Sequence, residues 1–380
     1  MKYSLGKLMF KRKKILILGV GNLQVDPIRI LKDGNHEVHA LSYKDEGPGR
    51  AFVDKFDVVD IVDKESVKKY VLENNIEVLY SIGSDIAMPT ISYVSEVLDL
   101  PHFVSFKTAN TCQNKWQLRS YIGDDFNGNI PFRRIKSIND IQYWKNYPCV
   151  LKPVDSQGQR GVFVLDSIAD FYQYFEKSLK YSKSNELIVE NFINGPELSI
   201  NVYVVDGTIV FIQTTDRLVF KNYPGGLVKE HRIPSVFISN EMELKILDLV
   251  KFVVNKLQIL NGPVYFQIKI IDNSPKLIEV TPRLDGCHIW RLIKEYCGVN
   301  LLEITFKHLI DNTLDLESFK KNELNPYKLT FLNEKPGKNV NRNKYQVKNP
   351  IYLEWYYNQD EIVRPINNYF EKIGYYIKEC

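Results

Sequence analysis

Lys152 opens a glycine loop. It stands in "LKPVDSQGQRGVFVL" (Leu151 to Leu165), where two apolar runs are joined by a short segment carrying glycine and arginine. Glycine reaches positive φ and lets backbone N–H groups approach a ligand closely; the ligands that use such groups are anions, phosphates above all. A lone loop of this kind is more often an ordinary β-hairpin turn with a solvated lysine, so other residues must decide. Lys115 precedes it at the start of a predicted helix. In "VENFINGPELS", Glu190 and Glu197 flank an Asn-Gly turn and a proline. In "VYFQIKIIDNSPKLIEVTPRLDG" a predicted hairpin carries Gln267 and Glu279 on its two strands, followed by Thr281, Arg283 and Asp285.

Taken singly, Glu190 is a surface strand acid, Gln267 a strand-edge residue and Lys115 a solvated helix position. Taken together they describe nucleotide chemistry. Lysines serve as point charges for phosphate oxygens, and a backbone-rich loop folds over them. A pair of oxygen ligands on adjacent strands suits Mg²⁺, which prefers a few protein oxygens plus phosphates and waters. One acid accepts from an adenine amino group while another takes ribose hydroxyls.

The elements that must position these residues alternate in type. From Lys14 to about Lys107, "KILILGVG", "HEVHALSY" and "EVLYSIG" read as strands between helices, which predicts a parallel sheet covered on both faces. Gly19 and Gly21 invite a dinucleotide reading, but "GVGNLQ" lacks the third glycine, and no ribose-binding acid ends the second strand. The histidines of "HEVH" face opposite sides of a strand and cannot share a metal. The expected division is 1–107 as an N-terminal α/β unit, 108–186 as a small lobe with the glycine loop, 187–312 as a large lobe with the metal site, and 313–380 as a β appendage.

Composition narrows the class. The 380 residues are 44% apolar and 25% charged with a net charge of +4, which fits a globular protein and gives no basic face for nucleic acid. "KRKK" at Lys11 to Lys14 reads as a solvated entry to the first strand. Five dispersed cysteines (Cys112, Cys149, Cys287, Cys297 and Cys380) form no C-x-x-C pair, so neither a disulfide framework nor a zinc knuckle is expected, and a reducing cytoplasm fits. No segment holds the ~20 apolar residues that span a bilayer, and "ILILGVG" is short for a signal core.

In this order the motifs resemble the ATP-grasp superfamily, from about Lys14 to Asp311. "NKWQLR" is similar to the family's helix with its first ATP lysine, "LKPVDSQGQRGVFVL" to the second lysine and phosphate loop, "VENFINGPELS" to the interlobe hinge, and "LIEVTPRLDG" to the metal and catalytic-arginine motif. The resemblance implies a fold of α/β and α+β type: a Rossmann-like parallel sheet, then a two-lobed ATP-grasp. It implies ATP phosphates on Lys115 and Lys152, and a mobile loop of Ser156, Gln157, Gly158, Gln159, Arg160 and Gly161. Adenine falls to Glu190 and the backbone of Phe192 and Ile193, ribose to Glu197, and the phosphate vicinity to His231. Mg²⁺ or Mn²⁺ falls to Gln267, Glu279 and Thr281, while Arg283 joins Lys152 as a catalytic group. Thr281 stands where relatives commonly carry Asn, and Gln267 is neutral where they often carry glutamate.

The implied reaction is phosphorylation of a carboxylate to an acyl phosphate, followed by displacement by an amine or similar nucleophile. The implied partners are small molecules, with a homodimer as the implied assembly. Loop residues Arg217, Lys221 and Arg291 are candidates for holding a substrate carboxylate. The alternatives are a bicarbonate-phosphorylating, biotin-carboxylase-like enzyme and a non-catalytic nucleotide-binding protein that retains the fold.

Overall fold

The computed structural model describes residues 12–220, 226–322, 325–366 and 370–380. The N-terminal unit comprises β1 (Lys14–Leu18), α1 (Asn22–Asp33), β2 (Glu37–Ser42), β3 (Lys55–Val58), α2 (Lys64–Asn74), β4 (Val78–Tyr80) and α3 (Met88–Val97). Its strands form a parallel sheet in the order β3-β2-β1-β4. β1 is central, and its continuous apolar run is what burial on both faces requires: Ile15 to Leu18 have no exposure. β3, "KFDV", carries little apolar signal because it is a short, largely exposed edge strand.

Two helices, α4 (Phe106–Gln113) and α5 (Lys115–Ile122), lead into the small lobe. That lobe contains β5 (Phe132–Ile135), β6 (Cys149–Pro153), β7 (Phe163–Leu165), α6 (Ile168–Leu179) and β8 (Leu187–Asn191). The strands run antiparallel in the order β5-β8-β6-β7. Ser167 and Asp170 close a capping box that starts α6. The helix then lays Phe171 and Phe175 onto Leu151, Leu165 and Val189, forming a core of the lobe's own.

The large lobe is built on β9 (Glu197–Val205), β10 (Thr208–Val219), β11 (Val228–Ile233), α7 (Asn240–Lys256), β12 (Gly262–Ile271), β13 (Ser274–Thr281), α8 (Ile289–Cys297) and α9 (Leu301–Asp311). The segment expected to stand apart as an appendage supplies β14 (Tyr327–Glu334), β15 (Tyr352–Trp355) and β16 (Glu371–Glu379). These strands extend the main sheet, giving an eight-stranded antiparallel order β13-β12-β9-β10-β11-β14-β16-β15. Leu329, Phe331, Tyr375 and Ile377 thereby join one core with the N-terminal unit and β9–β13. Among the described residues no helix is long and apolar enough to cross a membrane.

Two local features set the geometry of the site. Asp272 and Asn273 adopt φ of 49° and 55°, the left-handed pair of a tight hairpin turn joining β12 to β13. The register then shifts between Gln267 and Ile268, so that Ile268 pairs with Leu277 but Gln267 pairs with Glu279. This bulge at Ile278 turns Glu279 to the face that Gln267 occupies.

Candidate functional site

A cleft of about 980 Å³ lies between the lobes and the N-terminal unit. Its walls include Lys115, Lys152, the loop from Ser156 to Arg160, Glu190 to Ile193, Glu197, Arg217, Gln267 and Glu279. Most of the residues singled out in the sequence are thus brought to one place.

The phosphate-loop end is held by lysine. Lys115 is the first residue of α5, with Asn114 as the cap; its ammonium donates to Ser156 O at 2.6 Å. Gly158 and Gln159 have φ of 65° and 63°, and Gln159 Nε2 donates to Gly226 O at 2.6 Å, so the loop rests against the end of the β10–β11 connection. Gly161 belongs to the loop's anchor instead of the cleft wall. Its carbonyl accepts from Ser178 of α6, and an added Cβ would meet Pro153 and Tyr181 at 3.0 Å.

Glu190, the residue expected at adenine, is engaged within the protein. Its carboxylate is enclosed by two cations, with Arg119 Nε at 3.0 Å and Lys152 Nζ at 2.6 Å. Burial raises a carboxyl, but the two cations outweigh it and hold Glu190 at about 2. Lys152 is pushed down by burial, and further by Arg119 and Lys115, against the pull of Glu190. Arg119 was not singled out in the sequence, though it lies one helical turn after Lys115 on α5 and so shares its face. In the hinge, the Phe192 N–H donates to Pro148 O at 3.2 Å, and Ile193 O accepts from Lys269 at 3.1 Å.

Glu197 is likewise engaged. It starts β9 and pairs in register with Lys269 of β12, whose ammonium is 4.0 Å away. Gln267 Nε2 donates to it at 2.5 Å, and Arg217 of β10 forms an ion pair with it. Arg217, a candidate for substrate, is therefore fastened to the expected ribose residue. Lys221 lies outside the described residues.

Glu279 is different. It is half-buried, and no hydrogen bond or ion pair to its carboxylate is present among the described residues. Burial and the neighbouring Asp85 carboxylate push it above the ordinary range, against Lys115, Arg283 and Lys152. Gln267, opposite, uses its amide nitrogen on Glu197, which leaves its oxygen as an acceptor. The Thr281 hydroxyl, one strand repeat further on, is buried without a partner among the described residues. A carboxylate, an amide oxygen and an orphaned hydroxyl form a hard-oxygen donor set that fits a divalent cation.

Three expected site residues lie behind the cleft wall. Arg283 donates from Nε to Asp85 at 2.8 Å and from Nη1 to Leu284 O at 2.7 Å, tying the large lobe to the N-terminal unit. Arg291 pairs with Asp26 of α1 at 2.8 Å and covers the Tyr352 ring at 4.0 Å. Asp26 is raised by burial, but His288 and Arg291 outweigh this and hold it at about 2, so Arg291 is committed to a buried counterion. His231 is fully buried, its Nε2 without a partner among the described residues; burial, then Arg217 and Lys372, keep it well below its usual range and neutral near pH 7.

A small antiparallel lobe and a larger sheet thus face each other across a lysine-lined cleft. Residues 145–290 match the family model described as an ATP-grasp domain. Over those residues the chain is similar to the ATP-grasp family that its motifs resemble. It is 23% identical over 226 residues to dapdiamide A synthase of Enterobacter agglomerans, covering 57% of this chain and 53% of that relative. The chain spans about half or less of the length of the curated relatives it matches first. Its fold resembles the L-amino acid ligase of Bacillus licheniformis (TM-score 0.78, 18% identity, covering 97% and 94% of the two chains). It also resembles carboxyaminoimidazole ribonucleotide synthase of Aspergillus clavatus, solved with ATP (TM-score 0.76, 16% identity, 97% and 94%).

Proposed function

We propose that this protein uses ATP to activate a small-molecule carboxylate as an acyl phosphate and passes the acyl group to an amine, releasing ADP and phosphate. The observation that carries the reading is Glu279: a carboxylate without a partner among the described residues, beside Gln267 in a cleft that also holds Lys115 and Lys152. The ATP-grasp domain and the names of the relatives, an amide-forming synthase and an amino acid ligase, support it.

In this reading Lys115 and Lys152 meet the phosphates, and Ser156 to Arg160 fold over them. Glu190 is a positioning residue: with Arg119 it fixes the Lys152 ammonium and its charge. The hinge at Phe192 and Ile193 receives the adenine edge, and Glu197, braced by Arg217 and Lys269, faces the ribose. Gln267 and Glu279, with Thr281 behind them, would hold Mg²⁺ or Mn²⁺, which when bound neutralises charge on the transferring phosphate. Lys152 aligns and stabilises the γ-phosphate as a substrate carboxylate oxygen attacks it in line, and ADP leaves. The amine then attacks the acyl carbon and phosphate departs. Arg283 acts at one remove, through Asp85. The free thiols fit a reducing cytoplasm as the site of action.

The test is a screen of acid and amine pools for ADP and phosphate release with Mg²⁺. Release that requires both an acid and an amine is expected. Release supported by bicarbonate without any other acid would replace this reading with the bicarbonate one, and absence of nucleotide binding would overturn both.

A further inference from the structure

Six basic side chains line the cleft, and three of them have carboxylate partners: Lys152 with Glu190, Arg217 and Lys269 with Glu197. Among the described residues the other three, Lys115, Arg160 and Lys372, have none. Lys115 and Arg160 belong to the phosphate loop, with contacts to Ser156 O and Gln157 O. Lys372 does not. It lies on β16 in the segment after residue 312, where Phe331, Tyr356 and Ile366 also border the cleft.

The contacts that orient Lys372 leave its charge standing. Its Nζ sits 3.5 Å from the centroid of the Phe331 ring and 3.7 Å from Sγ of Cys287. A ring face and a thiol steer an ammonium without neutralising it. Glu371 borders the cleft too, but its carboxylate accepts the Ile366 N–H at 2.8 Å. A half-buried ammonium beside apolar groups is costly unless an anion meets it. The adjoining loop adds potential of the same sign. Gly286, next to Cys287, abuts Gly83 and Leu23, and the first turn of α1, which no side chain caps, lines the same cleft.

We infer that Lys372 anchors a spectator anion, a carboxylate or phosphate group on one of the two substrates that takes no part in bond making. The segment after residue 312 thereby selects substrates that carry such a group. Which molecule bears the anion rests on the ligase reading; the anion site itself does not.

The test uses the full chain with Mg²⁺ and a non-hydrolysable ATP analogue, so that the nucleotide end is filled. Melting temperature is followed while inorganic phosphate, and separately acetate, is added. Stabilisation of the wild type is expected, with about tenfold more anion needed for the same shift in Lys372→Met and most of the response restored in Lys372→Arg. A response to phosphate alone assigns a phosphate ester, and a response to acetate assigns a carboxylate. The same titration in Lys115→Met without analogue reads Lys372 even if the nucleotide reading fails. Equal responses in wild type and Lys372→Met, or no response of the wild type to either anion, would overturn the assignment.

Discussion

Glu279 and Glu190 are two acids of one cleft with opposite surroundings, and they predict opposite behaviour. Glu279 has burial and Asp85 against its charge, and among the described residues no ion pair or hydrogen bond holds it. Glu279→Gln is therefore expected to leave the melting temperature unchanged or slightly raised, while Mg²⁺-dependent turnover falls about a hundredfold or more, the scale of losing one electrostatic stabiliser. Parallel melts and Mg²⁺ titrations check this, and a large loss of stability with an unchanged Mg²⁺ requirement would refute the ligand role. Glu190→Gln strands Arg119 and Lys152 as buried cations and is expected to cost about 3–5 kcal/mol at neutral pH. Glu190 is held at about 2 in the fold against an ordinary value of 4.5, so the folded state binds fewer protons. Its contribution is complete above the ordinary value and is lost as pH falls from there toward about 2. Denaturant melts across that acid window should show this slope in the wild type and its absence in Glu190→Gln.

At the scale of elements, the strand that leaves the hinge is pinned by a glycine. A Cβ on Gly195 would lie 1.7 Å from Ile270 O, where Ile270 N–H donates to Pro196 O at 3.0 Å. Only glycine lets the hinge backbone lie so close to β12. Gly195→Ala is expected to destabilise by about 1–3 kcal/mol, as overpacking does, and to weaken ATP because β9 carries Glu197. Calorimetry and melts on the one variant give both quantities. The glycine loop is the softer element. Its anchors are Gly161 on α6 and the bonds from Lys115 to Ser156 O and from Gln159 to Gly226 O, with nothing apolar between them. Cleavage after Arg160 by trypsin is therefore expected to be suppressed by ATP with Mg²⁺. Cleavage at the same rate with and without nucleotide would argue that the loop is no lid.

For the whole molecule, the segment after residue 312 is structural as well as a wall of the cleft. β14 pairs with β11 through Glu230 to Ile233, and β16 lies beyond it. A chain ending at Asn312 would bare the edge of β11 and remove Leu329, Phe331, Tyr375 and Ile377 from the common core. Its expected fate is aggregation, since an open hydrophobic edge templates further pairing. Recovery of a soluble, cooperatively melting fragment would show instead that the first 312 residues fold alone. The N-terminal unit is joined to the rest by two partly buried ion pairs, Asp85 with Arg283 and Asp26 with Arg291. It is thus part of the site's frame, and Asp85 and Gln24 reach the cleft from it.

The sequence by itself determined the order of the motifs, the parallel N-terminal sheet and the residue types that meet in the cleft. These follow from local causes: the apolar run "KILIL", the capping pair Ser167 and Asp170, the left-handed turn at Asp272 and Asn273, the glycines of the loop. Tertiary structure decided the pairings. A two-residue turn alone would set Gln267 opposite Ile278, and the bulge that turns Glu279 inward depends on how β12 sits between β9 and β13. Asp85 and Lys372 carry no motif, and Arg119 only closes "NKWQLR"; what gives them meaning is the charge they meet, or fail to meet, after burial. Arg283 and Arg291 show the converse, since both look like ligand-binding arginines in the chain and both are claimed by aspartates of the N-terminal unit. Periodicity and turn chemistry act between neighbours in sequence and can be read there. Charge pairing in a desolvated interior acts between residues as far apart as Asp85 and Arg283, and only the folded chain brings them within reach.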